Sequence, residues 1–153
     1  MHRMLITLGM ILGSSLLLAA EPKVDPVRAF ADSMAQLIVE KKDDALYEHI
    51  APQVRNAYSR AVLLAPLTAV RSIYGDIESY EYKQAMVGSF VVPGATMKTA
   101  TLWYAVATAK HPTGRFLQIR VSYDAGQYYL AQYTVSQIVG DSIPKALREK
   151  PVL

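Results

Sequence analysis

The chain is expected to fold as an α+β layer, with three to four N-terminal helices packed on one face of a curved four-stranded antiparallel sheet. Three observations predict this. Apolar residues recur every three or four positions up to Gly75 and every two positions after it. Turn signals then punctuate the second half at Pro93-Gly94, His111–Gly114 and Asp124–Gly126. Seven of the ten tyrosines fall between Tyr80 and Tyr133, and aromatic side chains favour strands.

Asp25-Pro26 opens the first helix, because aspartate caps exposed N–H groups and proline tolerates the first helical position. Phe30, Met34, Leu37, Ile38 and Lys41 form a stripe on a helix expected to end near Lys42. Asp43 or Asp44 is expected to cap a short second helix, "DDALYEHIA", stopped by Pro52 because the residue before proline avoids helical geometry. A third helical stretch runs from Pro52 to Pro66. There Pro66 opens a last segment that Gly75 closes.

In "DIESYEYKQAMVG" the residues Tyr80, Tyr82, Gln84 and Met86 alternate with Ser79, Glu81, Lys83 and Ala85. Residues 89–98 read as a linker whose Pro93-Gly94 turn ends or interrupts that strand. The second strand, residues 99–110, is apolar on both faces, with Trp103, Ala105, Ala107 and Ala109 on one and Tyr104 and Val106 on the other. Such a strand needs two covers. His111–Gly114 reads as a four-residue hairpin loop. The third strand places Leu117, Ile119, Val121 and Tyr123 on the core face, and Gln118, Arg120, Ser122 and Asp124 on the other. A tight turn at Asp124-Ala125-Gly126 leads into a fourth strand from about Gln127 to Ile138, in which Tyr128 and Tyr129 must point to opposite faces.

Ahead of this domain, Arg3 precedes an uncharged run from Met4 to Ala20, and "LAA" leads into Glu21-Pro22-Lys23. A basic end, an apolar middle and a small-residue exit predict a secretory signal peptide cut near Ala20, hence a periplasmic or secreted protein. The competing reading is a retained anchor, although 17 uncharged residues fall short of the roughly 20 a span requires. The expected organisation is therefore 1–20 signal peptide, 21–138 one domain and 139–153 a loosely held tail. With no cysteine, the core has no disulfide to rely on.

Composition argues against several functions. Loss of Arg3 leaves 15 basic against 13 acidic residues, and no basic run exceeds Lys41-Lys42, so nucleic acid is not an expected partner. Beyond the leader only His49 and His111 are available, without HExxH or cysteine pairs, so no metal site is expected. GxSxG, GxGxxG and P-loop motifs are absent, and no cofactor is expected. Asp43-Asp44 reads as a helix cap rather than a catalytic pair.

The amphipathic first helix, the short "DALYEHIAP" helix, the "AVRSIYGDIESYEY" helix-Gly-strand passage and the closing "YDAGQYYLAQYTVSQI" hairpin together resemble the nuclear transport factor 2-like superfamily. The likeness is strongest to its short exported bacterial members of unknown function, and it spans most of Pro26 to Ile138. It implies a cone-shaped α+β fold with an open mouth. It implies no activity, because that superfamily includes isomerases, dehydratases, ligand binders and dimerisation modules. The catalytic Tyr–Asp and His–Asp sets of its enzymes find no counterpart position by position, so no catalytic residue carries over.

The remaining candidates are Tyr80, Tyr82, Trp103, Tyr104, Arg120, Tyr128 and Tyr129, read as ligand- or partner-binding residues against a background of ordinary sheet packing. The expected function is a non-catalytic exported module. It would bind a small ligand or an envelope protein through its cone or outer sheet face, with a homodimer through that face as one form. The alternative is a small isomerase- or dehydratase-like enzyme using a cone-buried acid or base beside a tyrosine hydroxyl. A carboxylate or histidine within hydrogen-bond reach of a cone tyrosine discriminates between the two. A protease-inhibitor-like reading, with "HPTG" or "VVPGAT" as an exposed wedge, ranks last because the helical half is too long for it.

Overall fold

The computed structural model describes residues 25–137; the expected signal peptide and the expected C-terminal tail lie outside the described residues. Four helices come first: α1 (Pro26–Val39), α2 (Asp43–Glu48), α3 (Pro52–Ala57) and α4 (Arg60–Tyr74). Four strands follow as a meander: β1 (Ile77–Val92), β2 (Ala95–Thr108), β3 (His111–Asp124) and β4 (Gln127–Gln137). The fold is α+β, with an antiparallel sheet that curves without closing. None of the described helices is long and apolar enough to cross a membrane.

The Asp25 side chain accepts from Val27 N–H at 2.7 Å, and Pro26 takes the first helical position. Ala31, Met34, Ala35 and Ile38 bury one stripe of α1. This helix ends three residues earlier than the periodicity suggests. Lys41 adopts φ 58°, and Lys41 and Lys42 N–H groups return to the Ile38 and Leu37 carbonyls, the double closure more often built around glycine.

Asp43 and Asp44 do not cap α2 with their side chains. Instead, Asp43 grips Arg71 of α4 through two bonds of 2.7 and 2.8 Å, joining two helices. Between α2 and α3, Ile50 forms a parallel bridge to Leu130 on the outer edge of β4, and Pro52 opens α3. The expected break at Pro66 is found earlier. Tyr58 is extended and the Ser59 hydroxyl accepts from Val62 N–H, so α4 starts at Arg60 and carries Pro66 in its interior. Gly75 closes α4 at φ 80°, where a Cβ would lie 2.9 Å from that of Ala109.

The sheet is more continuous than the turn residues imply. Residues 89–98 are two strand ends joined at Pro93-Gly94, and His111–Gly114 belongs to β3, since the turn falls on Ala109-Lys110. The N–H groups of those two residues donate to Asp76 and Tyr74 carbonyls, which fixes the turn against the end of α4. The Ala125-Gly126 turn has positive φ at both residues, as expected for a two-residue hairpin.

Two irregularities reassign faces. A register shift between Tyr82 and Gln84 puts Tyr82 opposite Tyr104 but Gln84 opposite Trp103. Tyr80 and Tyr82 therefore share the helix side, whereas Gln84 and Met86 join the far side. A second shift, at Ala131, places Tyr133 opposite Ile119 on the helix side, although Tyr129 pairs with Ser122 on the far side. The core lies under the helices, where Tyr104, Leu102, Leu117, Ile119 and Leu130 pack against Met34, Leu46 and Leu67. Tyr123, expected in that core, is 60% exposed.

Candidate functional site

The seven candidate residues divide between the two faces of the sheet. Tyr80, Tyr82, Tyr104 and Tyr128 face α1, while Trp103, Arg120 and Tyr129 lie opposite. They do not form one site.

On the α1 side, Tyr104 is fully buried and its hydroxyl donates to Asp32 Oδ1 at 2.8 Å. Asp32 sits 3.6 Å from Arg28, whose guanidinium stacks 4.2 Å from the Tyr82 ring. The Tyr80 hydroxyl approaches the Asp32 carbonyl at 3.3 Å and Gln36 Oε1 at 3.2 Å. The Tyr80 and Tyr82 rings both meet Tyr104 edge to face. Burial, and then the hydrogen bond to Asp32, hold the Tyr104 hydroxyl far above its ordinary value near 10. Burial raises Tyr80 and Tyr82 as well, with Arg28 opposing it at Tyr82.

Asp32 is the residue that sequence reading missed. Its α1 position one turn beyond Arg28 was visible, but its pairing with a strand 72 residues away was not. A carboxylate therefore does stand within reach of a tyrosine hydroxyl. The two groups differ in access, since the Asp32 side chain is one-third exposed. The phenol has no solvent access, and Asp32 already faces both Tyr104 and Arg28. Asp32 and Tyr80 border an open groove of about 610 Å³ along α1 that also includes His49 and Phe30. Tyr128 stacks against Phe30, completing the set of rings that seat this helix.

On the far face, Arg120 donates from Nε to Thr101 Oγ1 at 3.2 Å and lies 4.9 Å from the Phe90 ring centre. Trp103 Nε1 and Thr99 Oγ1 are buried without hydrogen-bond partners. The Tyr129 hydroxyl donates to its near neighbour Gln127.

A cleft of about 250 Å³ opens between α3, α4 and β4. Ile50, Val54, Leu63 and Pro66 form one wall, Leu130, Ala131, Gln132, Tyr133 and Thr134 the other, with Phe90 at the side and Tyr58 and Val62 at the exposed rim. Among the described residues, no acidic, basic or imidazole side chain lines it. The Tyr133 hydroxyl is committed to the Leu63 carbonyl at 2.6 Å, which ties β4 to α4. Burial, and then the nearby negative charge of Asp43, push that phenol above its ordinary range. Pro66 has no N–H to return to the Val62 carbonyl, so this wall contains a missing helical hydrogen bond. None of the seven candidates lines the cleft. Among the described residues, no group of three His, Asp or Glu side chains is placed to hold a metal ion.

No family model matches the chain, and neither curated proteins nor solved structures provided a match.

Proposed function

We propose that this chain is an exported, non-catalytic module that binds a small apolar or amphipathic ligand, or an apolar segment of an envelope protein, in the cleft between α3, α4 and β4. The open, cone-like plan of the nuclear transport factor 2-like superfamily is part of the same proposal. One observation carries it: the described residues that line the cleft are all apolar or neutral, with an exposed Tyr58–Val62 rim. Such a lining favours burial of apolar surface and, among the described residues, offers no carboxylate, ammonium or imidazole for proton transfer. An enzyme reading built on Asp32 and Tyr104 has the burial of that phenol against it.

Fluorescence of the neutral probe N-phenyl-1-naphthylamine tests the cleft. Binding should saturate at one site, and Val62→Trp, which narrows the exposed rim, should weaken it at least tenfold. No binding to the wild type, or equal binding by the variant, contradicts the reading. The export part is tested by intact mass of protein recovered from the envelope, which should lack about 20 N-terminal residues.

A second reading, self-association through the far sheet face, is favoured by Met86, 40% exposed on the same side as the half-buried Trp103. Light scattering at rising concentration should then report a dimer that Trp103→Arg disperses.

A further inference from the structure

Resting on the cleft reading, we propose that the ligand is a medium-chain carboxylic acid, with its chain in the cleft and its carboxylate against Arg120. The volume of about 250 Å³ lies just below the usual range for ligand pockets. At roughly 30 Å³ per small group, taking the liquid-water volume as the measure, it holds about eight methylene-sized units. That size suits a single short chain.

The position of Arg120 supplies the head-group chemistry. Phe90 and Gln132 both line the cleft. The Arg120 guanidinium stacks on the Phe90 ring, and Arg120 is the cross-strand partner of Gln132. Among the described residues its one side-chain hydrogen bond uses Nε, toward Thr101. Arginine carries five N–H donors in a planar fork, so most of its hydrogen-bonding capacity is unspent beside the cleft. Arg28, Arg55, Arg60 and Arg71, in contrast, each form an ion pair with an aspartate or glutamate. A half-buried guanidinium without a carboxylate, next to an apolar cleft without charge, matches an amphipath with one anionic end. One cation favours a monoanion over a dianion, and the planar fork can pair with both oxygens of a carboxylate.

Calorimetry with octanoate, 1-octanol and octyl phosphate tests the assignment on the wild-type protein, so it does not depend on a variant folding. Octanoate should bind at least tenfold tighter than 1-octanol. Arg120→Gln should abolish that preference while retaining 1-octanol binding, and Arg120→Lys should restore part of it. Equal binding of octanoate and 1-octanol, or a preference that survives Arg120→Gln, overturns the role of Arg120. Tighter binding of octyl phosphate overturns the carboxylate. If no eight-carbon compound binds, the cleft reading fails and this inference falls with it.

Discussion

The cluster beneath α1 and the cleft beside α4 make opposite use of aromatic residues. Under α1, Tyr80, Tyr82 and Tyr104 fill space ring against ring, and the buried Tyr104 hydroxyl ends on a carboxylate. Beside α4, mostly aliphatic side chains leave space unfilled, and the tyrosine on the β4 wall uses its hydroxyl to hold strand to helix. Tyrosine density thus marks construction, and the candidate for function is a gap among ordinary apolar residues.

Emptying the filled region should have the largest effect. Tyr104→Ala should cost about 3–5 kcal/mol by denaturant unfolding, as for other large aromatic truncations in a core. A loss below about 1 kcal/mol would break the contrast. The reverse sign is expected at the cleft. Pro66→Ala restores the N–H needed by the Val62 carbonyl and should stabilise the protein by about 2 kcal/mol, the helical gain less the proline's effect on the unfolded chain. It should also change probe affinity, which links the helix defect to the cleft. Tyr104→Phe retains the ring and deletes the hydrogen bond, at a cost of about 1–2 kcal/mol in melting experiments with probe affinity unchanged.

Alkaline titration should show the smallest difference. The folded-state values of Tyr104 and Tyr133 are raised, so their contribution is complete below pH 10 and falls at higher pH as the unfolded chain loses protons first. Denaturation midpoints measured from pH 9 to 11 should fall less steeply for Tyr104→Phe than for the wild type.

Much of the fold was legible because its signals are local. The switch of period at Gly75, the Asp25-Pro26 start and the Ala125-Gly126 turn each depend on neighbouring residues. Features set by distant partners were not. Asp43 looks like a cap, and only the approach of Arg71 shows it to be a clamp. A strict two-residue alternation cannot register the shifts at Tyr82/Gln84 and Ala131, so it groups Gln84 and Met86 with Tyr80 and Tyr82, whose face they do not share. Tyr123 continues an apolar row, but that row extends beyond the cover of the helices, leaving the ring largely in solvent beside Tyr128. The cleft itself has no motif, because Ile50, Leu63 and Ala131 meet only when three elements converge.

Amide chemical-shift mapping during titration with octanoate tests the central claim most directly. The largest shifts should cluster at Ile50, Val54, Val62, Leu63 and Leu130–Thr134, leaving Asp32, Tyr80, Tyr82 and Tyr104 unmoved. Shifts centred on those four residues instead would contradict the division between a constructed phenol cluster and a binding cleft.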